Sequence, residues 1–267
     1  MKPLAADWNP GRRIGRRWAV GGALLGTAVA LVAFAPAAWL TGALARASGE
    51  RFLLADAQGS IWNGSAVAVL TGGPGSRDAA ALPGRLHWTL RPAGAGIMLR
   101  ARQACCIDGE LALRVEAGLG RWRVTLPAGP VGRWPAAWLA GLGTPFNTLG
   151  LGGSLALASQ GLVAESAAGR WSLAGGATLA ADNLSSRLTT LDRLGSYRIA
   201  LAGGDVPRLT LSTLQGPLLL SGDGQWSARG LRLRGEASAE PGSEPVLNNL
   251  LNIIGRRQGT KAVISIG

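Results

Sequence analysis

Few side chains in this 267-residue chain have types and spacings that could do chemistry. The single histidine, His87, lies in the alternating run RLHWTLR. One histidine excludes H-E-x-x-H and any His-rich metal site. A nucleophilic triad needs only one, but the G-x-S-x-G turn that would lift a serine onto a sheet is missing. Cys105 and Cys106 are adjacent, whereas redox and metal motifs need a spacer such as C-x-x-C. They read as two small residues of a strand or turn, with a vicinal disulfide or an intermolecular bridge as alternatives. Asp108 and Glu110 alternate at a strand edge, and no other acids form an evident dyad, although a fold can bring distant carboxylates together. The only lysines, Lys2 and Lys261, do not follow glycine, so there is no phosphate-binding P-loop. The G-x-G pairs Gly118/Gly120 and Gly222/Gly224 do not extend to G-x-G-x-x-G and read as hairpin turns. The expectation is a non-enzyme with no catalytic residue, no metal ligand and no cofactor.

Composition points the same way. Hydrophobic residues make up 47% and charged residues 16%, which excludes disorder by composition and hints at a membrane segment. Gly numbers 41, dense enough to disfavour a mostly helical chain and to suit short strands joined by tight turns. The net charge is +12, but beyond the N-terminus the arginines are scattered from Arg46 onward without a basic block. Scattered arginines fit solvated strand faces, and no nucleic-acid partner is expected.

The N-terminus carries the strongest local signal. Arg12, Arg13, Arg16 and Arg17 precede Trp18–Leu40, a stretch without charge. As one helix it would rise roughly 35 Å, against about 30 Å of hydrocarbon. Trp18 and Trp39 would sit at the two boundaries, and Leu24, Leu25, Val29, Leu31, Val32, Phe34 and Leu40 would face lipid. The basic cluster predicts a cytoplasmic tail at 1–17, a membrane helix at 18–40, a connector at 41–58 and an exported domain at 59–267. Ala43-Leu44-Ala45 offers a signal-peptide cleavage site as the alternative, against which the long apolar run and long basic region count. Pro36 would kink the helix, and Gly22 and Gly26 form a G-x-x-x-G pair.

Beyond residue 59 the spacing predicts strands roughly every ten residues. Alternation places them at Ile61–Leu70, Arg85–Arg91, Ile97–Arg102, Glu110–Glu116, Arg121–Leu126, Leu149–Ala158, Tyr197–Ala202, Arg208–Thr213, Leu231–Ala237 and Ala262–Ile266. Shorter runs are read at Arg170–Ala174, Ala177–Ala181, Ser185–Leu188, Pro217–Ser221 and Gly224–Ala228. Two helices interrupt them, Val131–Leu142 with Trp134, Trp138 and Leu142 on one face, and Val246–Arg257. A loose repeat, G-x-L-x-L then G-x-W, recurs at Gly109/Trp122, Gly153/Trp171 and Gly216/Trp226. Trp62, Trp88, Trp122, Trp171 and Trp226 accompany strands, either as core anchors or as the lining of a groove for lipid or a partner strand. The fold class expected is mainly β: one N-terminal membrane helix, then an elongated, curved antiparallel sheet with two short helices.

Gly59-Ser-Ile-Trp62-Asn63-Gly64 resembles the G-T-V-W-N-G element of the type II secretion system protein N (general secretion pathway N) family. The resemblance continues through Leu86-His-Trp88-Thr-Leu-Arg-Pro92 and Leu142-Gly-Thr144-Pro145-Phe-Asn147-Thr-Leu149. It resumes at Leu194-Gly195-Ser-Tyr197-Arg198 and Leu250-Leu251-Asn252-Ile-Ile-Gly255-Arg256-Arg257. It implies a non-enzymatic subunit of the Gram-negative inner membrane, with the N-terminus cytoplasmic and the C-terminal domain periplasmic. Its partners would be other secretion subunits of the membrane platform and the secretin link, membrane lipid and a second copy. The implied fold is the taco-like sheet of AsmA-type and bridge-like proteins, which gives the alternative function of a periplasmic lipid-binding or lipid-transfer module.

Overall fold

The computed structural model describes residues 11–227 and 230–266, and for 11–17, 227, 231 and 266 the backbone alone. Residues 1–10 of the expected tail lie outside it. Arg12, Arg13, Arg16 and Arg17 form the first turns of helix α1 (Gly11–Ala33).

A continuous helix over Trp18–Leu40 does not form. α1 ends at Ala33, and a second helix, α2 (Ala37–Ala47), begins after Pro36. Proline cannot donate a hydrogen bond and forces the residue before it out of the helical region, so the chain breaks here rather than kinking. Among the described residues no helix is long and apolar enough to cross a membrane. Every residue from Trp18 to Phe34 is nevertheless exposed. Ala43–Ala45, the alternative cleavage site, lies inside α2.

The rest is one antiparallel sheet. Its first half comprises β1 (Phe52–Gly59), β2 (Asn63–Thr71), β3 (Ala79–Ala81), β4 (Leu86–Ala93), β5 (Gly96–Arg102), β6 (Leu111–Gly118), β7 (Arg121–Leu126) and β8 (Gly129–Pro135). A 3-10 helix (Ala136–Leu142) and α3 (Phe146–Leu149) follow. Then come β9 (Gly152–Ser159), β10 (Leu162–Ala167), β11 (Arg170–Ser185), β12 (Gly195–Gly204), β13 (Arg208–Gln215), β14 (Leu218–Ser227), β15 (Gly230–Ala239), α4 (Glu244–Ile254), β16 (Arg256–Gln258) and β17 (Lys261–Ile266). The ladder runs β1-β2-β4-β5-β6-β7-β10-β11-β12-β13-β14-β15-β17-β16.

β3 extends the β2 edge beside β4, and β8-β9 branch from β11. The branch arises at Gly175–Gly176. The first part of β11 pairs with β10 and the remainder with β9. A Cβ at Gly175, whose φ is +77°, would stand 1.9 Å from the Gly161 carbonyl oxygen, so only glycine admits the β9–β10 loop there.

Several boundaries differ from the periodicity reading. All of β1 but Gly59 lies within the stretch read as connector, and β11 joins the runs read at Arg170–Ala174 and Ala177–Ala181, while Ser185–Leu188 is strand only at Ser185, where the chain leaves the ladder. Gly222 and Gly224 are mid-strand in β14, because β13 and β15 both continue the ladder past them. The third G-x-L-x-L/G-x-W unit is therefore a single strand, while Gly120 does turn the β6–β7 hairpin. Val131–Pro135 belongs to β8, since it pairs with β9, and only Ala136–Leu142 is helical. α4 stops at Ile254, and Arg256 starts β16 instead of ending the helix.

Two apolar clusters hold the sheet. One gathers Leu54, Ala66, Leu82, Trp88 and Cys106, with Phe52, Trp134 and Trp138 packed on it. Phe52 and Trp138 meet edge to face with ring centroids 6.3 Å apart. The other gathers Leu149, Leu155, Leu194, Tyr197, Leu218, Leu247, Leu250 and Leu251.

Cys105 and Cys106 are joined as a vicinal disulfide. Their loop shields the outer edge of β8: Ile107 bridges Gly132, and the Arg133 amide donates to the Cys106 carbonyl at 2.8 Å. Covering an edge strand in this way removes a template for unwanted pairing.

Candidate functional site: a tryptophan clamp and an apolar groove

The segment Gly59–Gly64 turns β1 into β2, with Gly59 opposite Gly64. The last carbonyls of any α-helix lack intrahelical donors. At the end of α1 the turn supplies one such donor and ties down the residues that follow the helix. The Trp62 indole Nε1 donates to the Val32 carbonyl at 2.8 Å, and the Ile61 amide donates to the Ala35 carbonyl at 2.9 Å. Pro36 and Ser60 complete the bridge. Trp88 is 3% exposed and donates its Nε1 to the Ile61 carbonyl at 3.1 Å, bracing the turn from beneath. Asn63 contributes backbone, its amide donating to the Ser60 hydroxyl and its carbonyl accepting from the Ser60 amide. Beside this turn, Arg85 ties the β1 bulge at Asp56 to Ser65, and the guanidinium holds the Asp56 carboxyl below the usual carboxylate range.

The opposite end of the sheet is built differently. Registered apolar rows cross it. In one, Leu179, Ile199 and Leu211 lie side by side, then Gly222 and Gly235, then Ile264. In the next, Leu209 stands beside Gly224 and then Leu233. Directly opposed residues of antiparallel strands share a face, so three glycines interrupt otherwise continuous apolar rows. A Cβ at Gly235 would stand 2.6 Å from the Ser221 carbonyl, so the backbones approach closely here. α4, α3 and the 3-10 helix lie over this face, and a groove of about 810 Å³ remains between them and the leucines and isoleucines of the rows.

Leu139, Phe146, Leu250 and Ile254 close its helical side. Its walls are almost wholly aliphatic. Tyr197 is buried, and its hydroxyl donates to the Leu218 carbonyl at 2.9 Å. Arg256 and Ser265 stand at the rim.

Burial pushes the Tyr197 phenol above its ordinary value of 10.0. The folded state thus favours the protonated ring. This contribution is intact below pH 10 and is lost as pH rises beyond it. Tyr197→Phe is expected to cost about 1 kcal/mol in urea unfolding at neutral pH. It should also remove the delayed ionisation step from an ultraviolet alkaline titration, which reads this residue singly because the chain has one tyrosine.

The family model described as type II secretion system (T2SS), protein N, matches residues 50–264. The chain belongs to the type II secretion system protein N family. No curated protein and no solved structure matches it. The protein N match covers the sheet up to residue 264, within β17, and leaves α1 and α2 outside.

The motif residues of this protein N chain gather in two places. Gly59, Trp62, Asn63, Gly64 and Trp88 form the clamp. Pro145, Tyr197, Leu250, Gly255 and Arg256 line the groove. Thr144 and Pro145 share a cis peptide leading into α3, and Gly195 packs against the Tyr197 ring. The Asn147 amide donates to Asp78 at 3.2 Å, and Arg257 donates to Asn248 at 3.0 Å. Leu251 is buried on the inner side of α4, while Arg198 and Asn252 are exposed and belong to neither place.

Of the five strand tryptophans only Trp88 is a core anchor. Trp122 and Trp226 are exposed, and none of the five lines the groove. The lining residues Leu179, Ile199, Leu211, Leu220 and Ile264 carried a signal only in their period-two spacing. His87 is exposed on β4, and among the described residues no three His, Cys, Asp or Glu side chains gather.

Proposed function

We propose that this chain is a non-enzymatic, single-pass inner-membrane subunit of the type II secretion machine. In this reading residues 1–17 face the cytoplasm and the sheet occupies the periplasm of a Gram-negative envelope. Membership of the protein N family makes it a secretion-system component. The observation that carries the finer reading is α1: an exposed apolar shaft from Trp18 to Phe34, hydrogen-bonded at its end to Trp62 of the matched sheet. A helix with Leu24 at 67%, Leu25 at 68% and Phe34 at 82% exposure is not at rest in water. From Trp18 to Phe34 it rises about 25 Å, at the short end for a span, a mismatch that local bilayer thinning absorbs. Trp39, 57% exposed on α2, continues the apolar surface past the break, and Leu40 packs on the first cluster. Other secretion subunits are the partners in this reading, and a second copy through Gly22 and Gly26 is compatible with it.

In a strain lacking the chain, secreted substrates are expected to accumulate in the periplasm, as read by fractionation and immunoblotting. Export at the parental rate would overturn a required role. A second reading, a module that shelters lipid in the envelope, is favoured by the groove. A concave face filled by its own side chains would have left no room for it.

A further inference from the structure

We infer that the groove holds the hydrocarbon of a monoacyl anionic amphiphile, with its carboxylate or phosphate on Arg256; this rests on the lipid-sheltering reading and gives it a ligand class. Three observations converge on this chemistry.

The groove is about 810 Å³, within the range of sites that take one small ligand. Its walls offer no free polar partner along their length, since the Tyr197 hydroxyl is already committed to Leu218. A polar ligand would lose its hydration there without replacement, whereas an aliphatic chain loses nothing. The walls are also a sheet face and not a sheet edge. The backbone groups of β12, β13 and β14 are used up on both sides by neighbouring strands. A peptide laid in the groove would find no ladder to join, which separates this site from strand addition.

The third observation is charge. Six arginines form ion pairs: Arg85, Arg100, Arg102, Arg114, Arg123 and Arg133. Arg257, next in sequence, donates to Asn248. Like Arg208, Arg232 and Arg234, Arg256 has no side-chain hydrogen bond or ion pair among the described residues; it is the arginine that lines the apolar groove, where Ser265 also stands. One cation and one hydroxyl at the mouth of a dry aliphatic slot complement one anionic head on one chain.

The test uses full-length protein in cells of its host. Three photoactivatable probes carry a diazirine near the chain end: palmitate, palmitoyl lysophosphatidylglycerol and monopalmitoylglycerol. After irradiation the protein is purified and adducts are mapped by peptide mass spectrometry. Adducts from the two anionic probes are expected on the inner face of β12–β14, around Ile199, Leu211 and Leu220. Whichever anionic probe dominates separates free fatty acid from lysophospholipid as the source. Leu211→Trp, which fills the floor, should abolish these adducts, with Ile199→Trp as the second variant should the first not accumulate. Arg256→Gln should lower labelling by the anionic probes about three- to ten-fold and leave the neutral one unchanged. Apparent affinity should tighten about four-fold per added methylene until the groove is full.

Equal labelling by neutral and anionic probes, insensitive to Arg256→Gln, would overturn the head-group assignment and leave the sheltering reading standing. Adducts confined to α1, or unchanged by both Trp variants, would overturn both.

Discussion

Leu247→Ala is expected to lower the unfolding free energy by about 3–5 kcal/mol, read as a shift in the urea midpoint followed by tryptophan fluorescence. Leu247 is fully buried, and Leu250 and Leu251 beside it are each 1% exposed. Together they fasten α4 to the sheet through Ala237 and Ala262, two residues so small that the helix approaches closely. Truncation removes transfer free energy and leaves a void that the neighbouring strands cannot collapse to fill, because their ladders fix them. The loss is also selective in space. α4 covers β15, β16 and β17, the last strands of the sheet, so loosening it should raise amide exchange there first and in β4–β6 little. Uniform exchange across the sheet, or a loss below 1 kcal/mol, would show that α4 is not what secures this end.

The same helix shows how much was legible beforehand. Its apolar spacing at 246, 247, 250, 251, 253 and 254 identified it, and alternation placed Arg208–Thr213 inside β13, whose residues are shielded and exposed in turn. Both are cases in which one face is buried and the other wet, so burial writes itself into the period. Where burial does not alternate, the signal fails. β1 buries only Leu54, exposes Ala55 and Asp56 in succession and carries a bulge at Asp56, so its residues do not alternate and it reads as a connector. Gly222 and Gly224 looked like a turn because glycine marks turns. Here they are the places where a strand gives up side chains so that its neighbours can come close. The apolar residues of the groove were visible as alternating leucines, but the space between them was not. A cavity is the difference between a sheet face and what arches over it, and no single segment encodes that difference. The tryptophan clamp was half legible: the motif marked a special turn, while its partner, the broken end of α1, is fixed only when Pro36 stops the helix beside Ser60.

That junction gives the second large effect. Gly64→Ala is expected to cost about 3 kcal/mol or more and to open the α1–α2 break to proteolysis. An added Cβ would lie 2.4 Å from Cζ2 of Trp88 and 2.8 Å from the carbonyl oxygens of both Gln58 and Ser60. Overpacking of this kind is absorbed only when a neighbour can give way. The indole is pinned by its bond to the Ile61 carbonyl, and the two carbonyls belong to the turn itself. The turn must therefore shift, and it carries with it the Trp62 indole and the Ile61 amide that hold Val32 and Ala35. Cleavage by a low-specificity protease between residues 33 and 37 reports that release directly. Gly64→Ala combined with Trp88→Leu separates the contributions, since it removes one of the three obstructions and leaves the two backbone ones. It should restore the turn in part while incurring the cost of a smaller core residue. If the single variant were as stable and as protease-resistant as the parent, the turn would have slack that these distances deny it. The end of α1 would then be held by something other than Trp62.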